Sequence, residues 1–421
     1  MANQEAKRPQ GWLFSALVFG AMGIPGGSQA VATQAGMPGA GHAGPEAAVA
    51  SAPRHESADR PRAREAGVVI GVLPTGPRNA IVDVPGVAVG HATVVEGAGI
   101  RTGVTAILPH GGDLYRERVP AAIVVGNGYG KLVGVTQVDE LGELETPILL
   151  TGTLAVWRAA DALVSWQLAR PGMADVRSLN PVVGETNDGY LNDIRARPLQ
   201  AAHVVQALES ASVDNVEEGA IGAGTGTVAF GWKGGIGTSS RRIDAARGGY
   251  TVGVLVQSNY GGRLTIGGVA LDDVQPVRAD ADPPPAASPP TGDGSVMIVI
   301  ATDAPLDARL LRRLGARALL GIGRTGGSMS NGSGDYVIAF ATAPRVRAAT
   351  GSTGPQAREV LPNDAMTPLF DAVVEATEEA VVNSLFRAHA VSGHRGTVQA
   401  LPLERVVPRL RPVPMPAAGA R

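Results

Sequence analysis

The 421-residue chain carries 36 Lys and Arg against 38 Asp and Glu, a formal charge of −2, and 44 % of its residues are hydrophobic. That balance can bury a core and lacks the basic excess of a nucleic-acid partner. With no Cys, a disulfide framework, a thiolate nucleophile, a cysteine zinc site and an iron–sulfur cluster are all excluded.

In chain order, Lys7 and Arg8 precede an apolar run from Trp12 to Met22, and Ser28-Gln29-Ala30 closes it with a small-x-small end. Residues 1–30 read as a secretory signal peptide. The mature protein is then expected to be exported, periplasmic or secreted, with no membrane anchor after signal removal. Residues 31–66 are rich in Ala, Gly and Pro and show no hydrophobic period, so they read as a disordered leader with order beginning near Gly67.

From there, Val68 to Val72, Ala121 to Val125, Thr251 to Val256 and Tyr336 to Ala341 are short apolar runs bounded by Gly, Pro or Asn, the pattern of buried strands. Thr153 is placed as the cap of a helix with Trp157, Ala160, Val164 and Leu168 on its core stripe. Asp303 is placed as the cap of another carrying Leu306, Leu310 and Leu314. Thr367-Pro368 marks a third helix start, with Phe370, Val373, Val374, Val381 and Leu385 on one face. Residues 279–294, ADADPPPAASPPTGDG, hold five Pro and can continue neither helix nor sheet. They read as a linker inside the folded region. The β-branched run from Ser295 to Ala301 follows at once, so Ser295 stands where a loop enters a core strand. Strands and helices in this mixture give an α+β or layered α/β architecture.

The familiar site motifs fail. In Gly222-Ala-Gly224-Thr-Gly226-Thr the third Gly of a dinucleotide loop falls on Thr227, and Gly231-Trp-Lys233 lacks the phosphate-loop succession. No His pair has the spacing of a zinc-protease helix, and no G-x-S-x-G elbow exists. No metal and no cofactor is expected. What remains is Gly294-Ser295. Cutting the bond before Ser295 would put a hydroxyl and a free α-amine on one residue, and that amine, with a reference pKa of about 7.7–8.0, is a base near neutral pH.

Around this step the sequence resembles the DmpA-type peptidases, the L-aminopeptidase/D-esterase-amidases and β-peptidyl aminopeptidases. The blocks that carry the resemblance run in order from about Val82 to Pro402. They are Val84-Pro-Gly-Val-Ala-Val-Gly-His91, Arg101-Thr-Gly-Val-Thr-Ala-Ile-Leu-Pro109, Gly126-Asn-Gly128, Leu144-Glu-Thr-Pro147 and Val182-Val-Gly-Glu-Thr-Asn-Asp-Gly189. They continue with Gly222-Ala-Gly-Thr-Gly226, Lys233-Gly-Gly-Ile-Gly237, Val254-Leu-Val-Gln-Ser-Asn259, Gly294-Ser295, Ala301-Thr-Asp-Ala-Pro305 and Ser330-Asn-Gly-Ser-Gly-Asp335.

The resemblance implies an α+β, four-layer αββα sandwich, similar to the N-terminal-nucleophile hydrolases but differently connected. It implies self-cleavage between Gly294 and Ser295 into an α-chain (67–294) and a β-chain (295–421) of one catalytic domain. Ser295 would attack the carbonyl of a small peptide, amide or ester, aided by its own amine with Ser333 and Asp335. Asn259 matches the family's oxyanion donor; at Asp335 the family sometimes carries Glu. Glu143 falls where some β-peptidyl members hold the substrate's amino group. Trp232 and Tyr129 are candidates to line the pocket, with core packing the favoured reading of both. A homo-oligomer of αβ units is the implied assembly. Two alternatives stay open: an acyltransferase of the ornithine-acetyltransferase type, which uses Thr in place of Ser295, and a catalytically silent secreted binding protein on the same scaffold.

Overall fold

The computed structural model describes residues 60–276 and 294–410, all within the unit Arg54–Arg421. The segment read as a signal peptide, most of the leader and all of the Pro-rich linker except Gly294 lie outside the described residues.

The main elements, in chain order, are β1 (Ala88–Glu96), β2 (Ile100–Leu108), β3 (Glu117–Gly128), α1 (Val135–Leu141), β4 (Glu143–Leu144), β5 (Ile148–Gly152), α2 (Val156–Leu168), β6 (Val182–Thr186) and α3 (Ala201–Glu209). They continue with β7 (Gly235–Arg242), β8 (Thr251–Asn259), β9 (Ser295–Thr302), α4 (Ala308–Arg324), β10 (Gly334–Ala341), β11 (Ala348–Ala349), α5 (Thr367–Arg387) and α6 (Leu403–Leu410). Four strands form one sheet in the order β1-β2-β5-β6. The larger, seven-stranded sheet runs β11-β3-β10-β9-β8-β7, with β4 added beside β3.

The larger sheet is buried on both faces, which is why its central strands read as unbroken apolar runs. Along β9, Val296, Ile298 and Ile300 point into a cluster with Leu310, Leu314 and Ala318 of α4 and Val373, Val381 and Leu385 of α5. Met297, Val299 and Ala301 point the other way, into a cluster with Ile107, Ile148, Leu150 and Val182 of the four-stranded sheet. The outer face of that smaller sheet, with Ala92, Val104 and Leu149, meets Val156, Ala159 and Leu163 of α2 and Val204 and Leu208 of α3. The alternation along β9 therefore fixes which face each side chain near Ser295 can reach.

Four of the five expected strands form, inside β3, β8, β9 and β10. The run Val68 to Val72 does not become a strand. No neighbouring strand pairs with it: Val68 N–H donates to the Ala63 carbonyl at 2.8 Å, Val72 and the following Leu73 donate to Glu375 at 2.9 and 3.0 Å, and Ile70 accepts from Arg241 at 2.7 Å. The same anchoring moves the onset of order upstream of Gly67. Arg60 donates to the carbonyls of Phe386 and Leu401, Arg64 pairs with Glu379, and Ala63 is fully buried.

The helices also depart from expectation in detail. On α2 the buried residues are Val156, Ala159, Ala162, Leu163 and Gln167. Trp157 and Leu168, expected in the core, are 58 % and 43 % exposed, because small residues let the neighbouring face approach the sheet closely. The cap of α4 is Asp307, which accepts from Leu310 N at 2.8 Å, whereas Asp303 accepts from Thr251 N at 2.7 Å. Leu306, Leu310 and Leu314 are buried as expected. In α5, Thr367 is the first helical residue rather than the cap, with Pro368 in the first turn.

Candidate active site

Three strand ends converge on Ser295. It is the first residue of β9, opposite Asn259, the last residue of antiparallel β8, and level with Gly334, the first residue of parallel β10. On the far side of β10, Gly334 lies opposite Gly128, the last residue of β3. A strand that begins beside two others that begin or end leaves polar backbone at the rim. A cleft of about 440 Å³ opens there, lined by Ser295, Gly294, Asn259, Tyr129, Lys131 and Glu185 among others. Ser295 and Asn259 are 6 % and 4 % exposed at its floor.

The peptide preceding Ser295 is closely held. Gly334 N–H donates to the Gly294 carbonyl at 3.1 Å and lies 3.3 Å from Ser295 Oγ. At Gly294 an added Cβ would come within 2.4 Å of both the Asn259 carbonyl oxygen and Tyr260 Cα, so only Gly fits. The need is for close approach of two backbones, not for an unusual φ.

Asn259 is oriented by its own acceptor. Val228 N–H donates to Asn259 Oδ1 at 2.9 Å, which fixes the amide so that Nδ2 is the end available as a donor. Val228 belongs to the short pairing of Val228–Ala229 with Trp232–Lys233. Lys233 locks that turn from behind. Its ammonium, fully buried, donates to the carbonyls of Gly224 at 2.8 Å and Gly234 at 2.7 Å. Burial lowers its pKa to about 7, against the opposing charge of Asp188. Asp188 is itself pushed up to about 6 by burial, although Thr102 (2.5 Å) and Asn192 (3.2 Å) donate to it.

Ser333 and Asp335 flank Gly334. Ser333 Oγ donates to Asp335 Oδ1 at 2.7 Å, and both residues are buried. Asp335 Oδ2 has no hydrogen bond among the described residues. Burial raises the Asp335 carboxyl to about 6; the Ser333 hydroxyl and the Val296 N–H pull the other way. A carboxylate held near that value can change its proton occupancy in the neutral range.

The structure does not bring Glu143 to this cleft. Glu143 pairs across the sheet with Pro120, eight residues along β3 from Gly128, which is roughly 26 Å at ~3.3 Å per residue. There it meets Arg118 at 3.9 Å and Arg358 at 3.2 Å. The acid that lines the cleft is Glu185, near the end of β6 and 2 % exposed. Its Oε1 accepts from Lys131 N at 2.9 Å and faces Lys131 Nζ at 3.7 Å, while Oε2 has no hydrogen bond among the described residues. Burial raises its pKa, partly offset by the Lys131 N–H and ammonium. The signal for Glu185 lay in the block Val182 to Gly189, which marked the resemblance without being given a role. Tyr129 also changes place, being 70 % exposed on the cleft wall, whereas Trp232 is in the core.

A mixed α/β fold thus places a serine hydroxyl at the head of a central strand, opposite a side-chain amide across one ladder, at the floor of a cleft. Residues 79–399 match the model of Peptidase family S58, and the chain belongs to that family. It is 39 % identical over 371 residues to beta-peptidyl aminopeptidase BapA of Sphingosinicella microcystinivorans, covering 82 % of this chain and 91 % of the relative. Among solved structures it is similar to a Burkholderia sp. beta-aminopeptidase, with a TM-score of 0.76 and 40 % identity over 84 % of this chain and 99 % of that one. It is also similar to the L-aminopeptidase D-Ala-esterase/amidase of Ochrobactrum anthropi, described as a prototype of the serine aminopeptidases and a new variant of the Ntn hydrolase fold. There the TM-score is 0.76, with 37 % identity over 83 % of this chain and 98 % of that one.

No helix among the described residues is long and apolar enough to cross a membrane.

Proposed function

We propose that the protein is a self-processing serine aminopeptidase that releases N-terminal residues from short peptides, amides or esters through an acyl-enzyme on Ser295. The observation that carries this reading is the register of Ser295 against Asn259 and Gly334 at the cleft floor, in a chain whose relatives are aminopeptidases.

In the uncut chain the Gly334 N–H polarises the Gly294 carbonyl. Ser295 Oγ attacks that carbonyl carbon and the C–N bond breaks, the nitrogen leaving with a proton as the free α-amine of Ser295; water then hydrolyses the resulting ester, releasing the Gly294 carboxylate and restoring the Ser295 hydroxyl. The same hydroxyl then attacks the substrate carbonyl, its proton passing to the new amine and on to the departing amine or alcohol, and water hydrolyses the acyl-enzyme to release the N-terminal residue and restore the hydroxyl. The Ser333–Asp335 pair supplies a negative charge close behind that amine, and Asn259 Nδ2 donates to the oxyanion, a contribution of about 2.7–4 kcal/mol for such donors. Glu185, in place of Glu143, holds the substrate's amino group.

The three hydrophobic clusters support a four-layer αββα arrangement, with α2 and α3 outside the small sheet and α4 and α5 outside the large one. Export and assembly into oligomers of αβ units belong to the same reading. The test is hydrolysis of matched peptide amides: free-amine substrates are cleaved and N-acetylated ones are cleaved at least tenfold more slowly. Equal rates on both would contradict it.

A further inference from the structure

The cleft that holds Ser295 and Glu185 has a second charged wall. A hairpin, Val391–Gly393 paired with Gly396–Val398, turns at His394 and Arg395, and Arg395 lines the cleft together with Tyr190, Ile194 and Gly332. The turn is not loosely presented. His394 N–H donates to the Leu191 carbonyl at 2.8 Å and Arg395 N–H to the Tyr190 carbonyl at 3.1 Å. An added Cβ on Gly393 would meet the Leu191 carbonyl oxygen at 2.1 Å, and Ser392 and Thr397 share a hydroxyl contact at 2.7 Å across the hairpin. The backbone of the turn is thus docked on the loop that follows β6, while the guanidinium side remains exposed.

The charges on the cleft wall are unequally used. Lys131 is engaged by Glu185 at 3.7 Å, whereas among the described residues no acidic side chain pairs with Arg395. A guanidinium presents its donors as a planar fork that matches a carboxylate.

We infer that Arg395 forms a carboxylate subsite, so that the preferred substrates are short peptides, of two or three residues, whose free C-terminal carboxylate reaches it while their amine is held at the acidic wall. This rests on the aminopeptidase reading and narrows its substrate class. Peptides too long to place both ends in the cleft, and peptides with an amidated C-terminus, lose the second anchor.

The experiment compares one dipeptide as its free acid, the same dipeptide as its C-terminal amide, and the same N-terminal residue as a p-nitroanilide, on wild type and on Arg395→Ala and Arg395→Glu. Wild type is expected to favour the acid over the amide by about tenfold in kcat/KM, equivalent to ~1.4 kcal/mol. In Arg395→Ala that preference collapses to within twofold, with the change in KM rather than kcat, and in Arg395→Glu the amide becomes the better substrate. An acid-to-amide ratio that is unchanged by both substitutions, or absent in wild type, overturns the carboxylate subsite. A wild-type enzyme inactive on the p-nitroanilide overturns the aminopeptidase reading itself, and the subsite with it.

Discussion

Two buried polar regions border the seven-stranded sheet, and they are built differently. On the helix side Arg241, fully buried, gives Nε to Glu375 at 2.9 Å and a terminal nitrogen to Glu379 at 2.7 Å. Those acids also receive Arg64 and the backbone of Val72 and Leu73. At the cleft Glu185 Oε2, and behind it, beside the head of β9, Asp335 Oδ2, are buried without a hydrogen bond among the described residues. The saturated network joins the segment after Arg60 to α5 and β7, and it has nothing left to offer a ligand. The cleft keeps acceptors and a hydroxyl in reserve, at a cost of about 1–3 kcal/mol for each unmet group. The lesson is that polar burial alone does not point to a site; what separates the two regions is the unmet polar burial near Ser295.

Substitutions can break that contrast. The largest effect is expected for Ser295→Ala, which should remain one chain on a denaturing gel and lose activity by at least ~10⁴-fold, as removal of a nucleophile does. A normally processed Ser295→Ala chain would show that another group performs the cut. Next, Asn259→Ala should lower kcat about 10²–10³-fold with little change in KM. Arg241→Met, by contrast, strands two buried carboxylates and should cost about 3–5 kcal/mol of stability in a denaturant titration. If Arg241→Met selectively lowered kcat in a fully folded protein, the division between scaffold and site would fail.

Smaller effects sharpen the picture. Glu185→Gln should raise KM for free-amine substrates about tenfold while leaving weak, N-acetylated substrates nearly as they were. The pH profile follows from burial. Asp335 loses its proton only above about 6, so its carboxylate is present above that value and is neutralised as pH falls through it. Steady-state kcat should therefore decline on the acid side of about pH 6, and Asp335→Asn should flatten that limb at a lower rate. Glu143→Ala, far along β3 and paired with two arginines, should change kcat/KM by less than twofold; a tenfold loss would return Glu143 to the site.

The comparison also explains what could be read from residue order. The strand at Ser295 was legible because both of its faces are apolar, and a run from Val296 to Ala301 has no other stable use. Gly294, Ser295, Asn259, Ser333 and Asp335 were named together because they fall in the blocks of the resemblance; the structure puts them at or next to the ends of β8, β9 and β10. The run at Val68 misled because its apolar residues mimic a strand, while its backbone is paired with the turn before it, through Ala63 and Arg64, and with the distant side chains of Arg241 and Glu375. On α2, two adjacent stripes are both apolar enough for a core, and only packing against the sheet selects the one with Ala159 and Ala162. Glu143 was named from the resemblance alone, and sequence position carries no information about which end of β3 an acid will flank. That choice is made by the pairing of β4 with the far end of β3 and of β6 with β5 beside the cleft.

The central claim is that one residue becomes both attacker and proton acceptor once its own peptide bond has opened. Intact-mass measurement of active, purified protein tests it most directly. A fragment whose N-terminal residue is Ser295 in stoichiometric amount with its upstream partner is the predicted result. Full activity from protein in which Gly294 and Ser295 remain joined would contradict it.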